Sequence, residues 1–216
     1  MDGGLFRSYI PIGMEQIAPP ASRGRPREFD PDEALSAALQ IFWRRGYEGA
    51  SMAELTEAMG ITKPSLYACF GNKEALFRKA LDLYEREKLC YIGKALEAPT
   101  ARAVVERLLR GALAIQTGDS QPLGCMGVIS TVACGGENDS IRQHVIARRA
   151  SSDAAIVARF VRARDEGDLP AHVDPAAAAS YLSAIVQGMA VQASAGVPRD
   201  ALERLIETTL AMWPSA

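Results

Sequence analysis

The stretch ITKPSLYACFGNKEAL, residues 61–76, constrains the fold most because it allows only a very short helix. Thr62 can cap a helix, and Pro64 prevents that helix from extending upstream. Gly71 and Asn72 interrupt the helix again soon afterwards. Barely two turns remain, and an isolated helix of that length is marginal in water. This segment therefore needs neighbouring helices to hold it in place.

Capped helices are predicted on both sides of this segment. Four successive helices each have an N-terminal capping residue: Asp30, Ser51, Thr62 and Asn72. Gly46 ends the first helix and Gly60 ends the second. Leu66 and Phe70 are placed to anchor the short third helix against the two before it. Short capped helices joined by a tight glycine turn predict a helix-turn-helix layout.

The remainder of the chain also has helical periodicity. Helices are predicted over residues 101–116, 122–133, 139–166, 175–193 and 199–212. No alternating strand pattern is present, and only 6% of the residues are aromatic. The predicted fold class is all-α. It comprises an N-terminal helix-turn-helix domain of three helices and a C-terminal helical domain.

The predicted domain organisation has three parts. Residues 1–22 are expected to be a disordered leader, because they combine Gly, Pro and mixed polarity without a secretory pattern. Residues 23–71 form the helix-turn-helix domain, and residues 72–216 form the second helical domain. Residues 175–197 contain no Asp, Glu, Lys or Arg, but they include several Ser and Gln residues. We therefore predict a helix buried on nearly every side and no membrane span.

Composition excludes several classes of function. The net charge is -2, so any basic surface must be local. Four cysteines and two histidines follow no metal-ligand spacing, so we expect reduced thiols, no metal site and no cofactor. The sequence contains no Ser-His-Asp pattern, no phosphate loop and no paired buried carboxylates, so nothing in it indicates a catalytic site.

The segment from Arg25 through Leu76 resembles the TetR family of bacterial transcriptional regulators. The resemblance rests on Ala34, Phe42, Gly46, Tyr47, Ser51, residues 60–67, Phe70, Lys73 and Leu76. It implies a cytoplasmic homodimer that binds a double-stranded DNA operator. It also implies that the C-terminal domain binds a small-molecule effector, whose identity is unknown, and mediates dimerisation.

The resemblance makes the short third helix a DNA recognition helix, whose N-terminal residues face base edges. Lys63 can donate to guanine, and Pro64 can pack on a thymine methyl group. The predicted DNA-binding residues of this region are Thr62, Lys63, Pro64, Ser65, Tyr67 and Lys73. The alternatives are that both lysines are merely solvated and that Tyr67 is a core residue with a wet hydroxyl.

A basic arm precedes the first helix. Arg25 and Arg27 flank Pro26 and can follow a narrow minor groove, where the negative potential is strongest. The alternative is a solvated tail that adds only nonspecific, salt-dependent affinity.

The charge-free helix over residues 175–193 predicts a dimer interface. Its small residues permit close helix approach, and a helix apolar on all sides needs cover from a partner as well as from its own domain. With the last helix it should form a four-helix interface, as the resemblance also implies. The predicted interface residues are Ala184, Gly188, Val191, Leu202, Leu205 and Leu210.

Cys125, in the sequence Leu-Gly-Cys-Met-Gly, is expected in the first turn of its helix, where the helix dipole would favour a thiolate. Two interpretations remain open: a thiol switch, or a small buried side chain beside an apolar ligand pocket. We favour the pocket. Its predicted lining is Val104, Leu108, Cys125, Met126, Ile129, Phe160 and Tyr181.

The predicted function is a ligand-responsive transcriptional regulator, most simply a repressor that a small apolar effector releases from a palindromic operator. A redox- or electrophile-sensing repressor that uses Cys125 is one alternative. A helical small-molecule enzyme with a vestigial helix-turn-helix is another. A nonspecific nucleoid-type DNA protein is a third, disfavoured by the pI of about 5.8 and the large apolar C-terminal half.

Overall fold

A computed structural model describes residues 29–119, 121–132 and 139–214 of the chain. Over these ranges all regular elements are α-helices, and no strand is found. The helices are α1 (Pro31–Gly49), α2 (Met52–Ala58), α3 (Lys63–Phe70), α4 (Lys73–Lys88), α5 (Tyr91–Leu96), α6 (Ala101–Gln116), α7 (Met126–Val132), α8 (Asp139–Asp165), α9 (Pro175–Ser194) and α10 (Arg199–Ala211). The all-α prediction is confirmed. The predicted leader, residues 1–22, lies outside the described residues.

Capping side chains begin the first four helices, as predicted. The Asp30 carboxylate accepts from the Asp32 amide at 2.8 Å, and Asn72 accepts from the Ala75 amide at 2.8 Å. Gly46 interrupts α1 with φ 69° and ψ -178°, after which the chain makes one more turn to Gly49. A left-handed φ is open to glycine because it has no Cβ.

Two helices differ from the sequence-based expectation. Helix α5 was not predicted, because it has only six residues and Cys90 makes no side-chain capping hydrogen bond. Helix α7 begins at Met126 instead of Pro122, because Gly124 adopts φ +83° and keeps the preceding turn non-helical. Cys125 therefore precedes its helix and does not lie in the first turn.

The N-terminal core extends beyond the helix-turn-helix segment. Phe42 and Trp43 of α1 are fully buried against α4, where Phe77 packs edge-on against Phe42 with ring centroids 5.1 Å apart. Met126 of α7 and Val145 of α8 belong to the same cluster of buried side chains. Helices α4, α7 and α8 thus connect the recognition region to the rest of the molecule through buried side chains.

The C-terminal core is formed by α6, α8, α9 and α10 around the fully buried Phe160. The buried guanidinium of Arg159 in α8 donates to the backbone oxygens of Leu96, Ala98 and Pro99. These bonds fix the end of α5 and the turn into α6 against α8. Among the described residues, no helix is long and apolar enough to cross a membrane.

Candidate nucleic-acid interface and internal cavity

Helix α3 has two different faces. Leu66 and Phe70 are 0% and 4% exposed and hold the helix against its neighbours. Lys63 and Pro64 are exposed, and Tyr67 is 47% exposed. Tyr67 is therefore not a core residue. The two-turn helix depends on packing for its stability and presents its first residues to solvent.

Thr62 and Ser65 together close the start of α3. The Thr62 hydroxyl accepts from the Ser65 amide at 3.3 Å, and the two hydroxyl oxygens lie 2.9 Å apart. Thr62 is thus the N-cap that the sequence predicted. The capping bond orients the Thr62 side chain on the same exposed end of the helix as Lys63.

Lys73 begins α4 directly after the Asn72 cap. Its ammonium lies 4.6 Å from the ring centroid of Tyr47, which places a cation over the face of an aromatic ring. The ammonium of Lys63 lies 6.0 Å from the ring centroid of Tyr67. Arg25 and Arg27 of the predicted arm lie outside the described residues.

This arrangement suits binding in a DNA major groove. The groove is about 12 Å wide and admits one α-helix with its side chains. A helix that enters by its N-terminal end brings Lys63, Pro64 and Ser65 toward base edges. The start of α4, with its cap and Lys73, offers a cation and helix N-terminal amides where a phosphate would lie.

A cavity of about 450 Å³ lies between α4, α5, α6, the start of α7, α8 and α9. Its surface is mostly apolar, and its lining residues include Leu108 and Cys125 of the predicted set. The other five predicted residues lie elsewhere. Val104 and Phe160 are buried in the C-terminal core, Met126 and Ile129 pack in the N-terminal core, and Tyr181 is exposed on α9. Apolar periodicity identifies inward faces, but it does not separate a cavity wall from a filled core.

Sequence reasoning missed most of the polar side chains that line the cavity. These are Tyr84, Glu85, Tyr91, Gln116, Arg148, Arg149, Ser151, Ser152, Asp153, Ser183 and Gln187. Burial raises the pKa of Asp153, an effect that the charge of Arg149 partly offsets. Tyr84 lies on the buried face of α4, and nothing in the sequence spacing indicates that its hydroxyl reaches Cys125. Its hydroxyl donates to the Cys125 sulfur at 3.4 Å, and burial raises the pKa of Tyr84 well above its usual value.

The wall of the cavity also touches α1. The indole nitrogen of Trp43 donates to the Gly124 carbonyl at 3.2 Å, and its ring packs edge-on against Tyr84 with centroids 4.8 Å apart. On the other side of Gly124, an added Cβ would lie 2.9 Å from the Ala190 carbonyl of α9. The turn at residues 124–125 is therefore held between the N-terminal core, the cavity and α9.

The predicted interface residues divide into two groups. Ala184 and Val191 are exposed and Gly188 is half-buried on α9, and Leu205 is half-buried on α10. In contrast, Leu202 and Leu210 are buried in the chain's own core, because α10 packs that face against α6. An accessible apolar stripe on α9 remains available to a partner.

Two profiles of one regulator family match the chain. The profile described as "Bacterial regulatory proteins, tetR family" matches residues 34–80. The profile described as "Tetracyclin repressor-like, C-terminal domain" matches residues 101–209. Among the described residues, no group of His, Cys, Asp and Glu side chains could hold a metal ion.

Individual relatives agree with these matches. The HTH-type transcriptional repressor ComR of Escherichia coli K12 is 32% identical over 201 residues, which cover 89% of this chain and 93% of ComR. BdcR of the same organism, also described as an HTH-type transcriptional repressor, is 39% identical over 106 residues, 48% of this chain and 52% of BdcR. A solved structure of a cysteine mutant of the TetR family regulator CifR, complexed with 26-base-pair operator DNA, is 43% identical. It has a TM-score of 0.83 and covers 88% of this chain and 100% of that one. The chain belongs to the TetR family of bacterial transcriptional regulators.

Proposed function

We propose that the protein is a homodimeric transcriptional repressor that binds a near-palindromic operator and releases it when a small molecule occupies the cavity. The observation that carries this proposal is the outward face of α3, where Lys63, Pro64 and Tyr67 are exposed on a helix anchored by Leu66 and Phe70. Ser65 completes the proposed base-reading set, and Thr62 and Lys73 are proposed to contact phosphates.

The relatives support the direction of regulation. ComR and BdcR are both described as repressors, and CifR is described in complex with double-stranded operator DNA. We extend repression and operator binding from them to this chain. We propose that the protein acts in the cytoplasm, where its DNA target lies.

The cavity supports control by a ligand. Its volume of about 450 Å³ falls within the range typical of small-molecule sites, and its surface is mostly apolar. A ligand that prefers a dimer arrangement unable to bind the operator weakens operator affinity. The operator weakens ligand binding by the same free energy. Cys125 is proposed to line this site, and no contact in the described residues favours its use as a thiol switch.

The exposed stripe on α9 supports dimerisation. Ala184, Gly188 and Val191 would approach the same residues of a second copy, with Leu205 of α10 at the edge. A dimer with twofold symmetry places two α3 helices about one helical turn of DNA, or a multiple of it, apart. The operator should therefore contain two inverted half-sites with that spacing.

The test begins with selection of bound sequences from a pool of random double-stranded DNA. The selected duplex and a scrambled duplex of equal length are then compared by gel shift over a range of salt concentrations. A repressor of this kind should select inverted repeats and bind them at least about a thousandfold more tightly than scrambled DNA. Equal affinity for both duplexes would instead indicate a nonspecific DNA protein, and the lack of any shift would refute DNA binding.

A further inference from the structure

Tyr91, the first residue of α5, has a fixed position in the cavity wall. Its ring lies so close to Gly111 of α6 that a Cβ at position 111 would collide with the ring carbons. The neighbouring turn is held as well, because Arg159 ties the end of α5 to α8. The ring of Tyr91 thus occupies a space that is open only because residue 111 is a glycine.

The hydroxyl of Tyr91 is free to bond a ligand. Among the described residues it has no hydrogen-bond partner, although its side chain lines the cavity. Burial first, and the nearby Cys125 second, raise the pKa of Tyr91 well above its usual value. The hydroxyl therefore stays protonated at neutral pH and retains a proton to donate.

Gln116 provides a second polar group in the same wall. Its side-chain nitrogen donates to the Val186 carbonyl at 3.1 Å, which fixes the orientation of the amide because a carbonyl can only accept. Its side-chain oxygen has no hydrogen-bond partner, and the residue is only 3% exposed. A buried acceptor without a partner is rare in folded proteins, and a bound water, ion or ligand is one explanation for it.

The charged side chains that line the cavity interact largely with one another and with neighbouring side chains. Arg148 pairs with Asp82 at 2.9 Å and also with Glu85 of α4. Arg149 donates to the Gln187 side chain at 2.9 Å and lies near Asp153, which offsets its charge. The rest of the wall includes aliphatic side chains, among them Leu108, Ile115 and Leu182, and the side chains of Ser151, Ser152 and Ser183. Arg148 is already paired with carboxylates and the charge of Arg149 acts on Asp153, so an anionic ligand would gain less from these guanidinium groups than from isolated cations.

We infer that the cavity selects a neutral hydroxyl compound, an alcohol or a phenol with an apolar body. The hydroxyl oxygen of this ligand accepts a hydrogen bond from Tyr91, and the hydroxyl group donates one to the side-chain oxygen of Gln116. A hydroxyl group is the simplest ligand group that accepts and donates at one atom. The inference rests on the proposed ligand site, and it specifies the chemistry that this site reads.

The test measures binding of three probes with one skeleton to the full-length protein by equilibrium dialysis. The probes are 2-naphthol, naphthalene and 2-naphthoate. We expect 2-naphthol to bind about tenfold more tightly than either of the others, since one or two net hydrogen bonds distinguish it. Equal binding of naphthol and naphthalene, preference for the carboxylate, or no binding of any probe overturns the inference.

Variants assign the preference to the two side chains. In Tyr91→Phe and in Gln116→Leu, the affinity for 2-naphthol should fall about tenfold toward that for naphthalene. Binding of naphthalene itself, which needs neither group, shows that the cavity of each variant is still folded. Tyr181→Phe is the matched control, because it removes a tyrosine hydroxyl from the exposed face of α9. Loss of preference in this control, or its retention in both cavity variants, contradicts the assignment.

Operator release is measured separately with the same probes. If naphthol binds with the expected preference but leaves the operator complex intact, the ligand chemistry stands and the proposed effector control fails. If operator release occurs equally with naphthalene and naphthol, effector control stands and the inferred selectivity fails.

Discussion

At the scale of single residues, Lys63 and Lys73 carry the same charge but have different proposed partners. Lys63 stands on the exposed start of α3, whereas Lys73 lies over the Tyr47 ring at the start of α4. Lys63→Ala should cost about 1–3 kcal/mol at the operator and relax base preference at one position of each half-site. Gel shifts on the operator and on duplexes substituted at each position measure both effects.

Lys73→Ala is the matched comparison for a phosphate contact. It should weaken binding to all duplexes alike and reduce the salt dependence by about one phosphate contact. If Lys63→Ala keeps the full base preference of the unmodified protein, Lys63 does not read a base.

Cys125 allows a second prediction at this scale. Its sulfur accepts from the Tyr84 hydroxyl and lies in the cavity wall, and a serine hydroxyl can accept in the same place. Cys125→Ser should change operator affinity, and operator release by a noncovalent ligand, by no more than about threefold relative to the unmodified protein, because the substitution has only a small effect on each. Gel shifts with and without ligand measure this, and treatment with peroxide or a quinone provides the contrast. Release by those oxidants that disappears in Cys125→Ser would establish the thiol switch instead.

The positions of side chains were easier to predict on α3 than in the cavity. The positions of Thr62, Leu66 and Tyr67 follow from a cap, a helical period and two breaks that all lie within ten residues. The cavity depends on distant segments, and Tyr91 reaches it through a helix without a sequence signal. Local spacing cannot specify which inward-facing side chains from six elements leave a space between them.

At the scale of elements, the turn before α7 connects the cavity to α1. Trp43 donates to the Gly124 carbonyl in a buried position, so removing the donor leaves an acceptor without a partner. Trp43→Phe should lower the free energy of unfolding by about 1–3 kcal/mol, measured by urea denaturation. The loss of ring volume adds to this cost.

Tyr84→Phe provides the matched control for Trp43→Phe. It keeps the ring and removes a hydroxyl that donates to a thiol sulfur, a weak acceptor, and that also interacts with the Met126 backbone. Its cost should therefore be the smaller of the two. A larger cost for Tyr84→Phe would show that the Trp43–Gly124 bond is not the main link between α1 and this turn.

The ends of helices were predictable where a side chain marks them. Helix α6 begins after the Thr100 cap and runs over residues 101–116, as predicted, because its apolar period is strong and its cap is local. Helix α7 begins later than predicted because the left-handed Gly124 is held between Trp43 and α9, which are far away in sequence. The start of α7 is therefore set by tertiary contacts, whereas the start of α6 is set by local chemistry.

At the scale of the whole molecule, Gly188 tests the proposed dimer. An added Cβ at this position meets no atom within 4 Å in the single chain, so a larger side chain fits the protomer. Gly188→Arg should therefore leave the fold intact and place a charge in the interface, which converts the dimer to a monomer at low micromolar concentration. Sedimentation velocity measures the mass, and circular dichroism verifies the helix content.

Ala158→Arg on the exposed side of α8 is the control for added charge and bulk away from α9. It should remain dimeric. A Gly188→Arg protein that also remains dimeric would place the interface on another surface of the molecule.

The division of α3 into an anchoring face and a reading face has a consequence for how such proteins diverge. Leu66 and Phe70 carry the folding of this helix, whereas Lys63 and Tyr67 contribute little to the core. After gene duplication, substitutions on the outer face can therefore accumulate without the loss of a folded protein. Each copy is then free to acquire its own DNA target while it inherits the same scaffold.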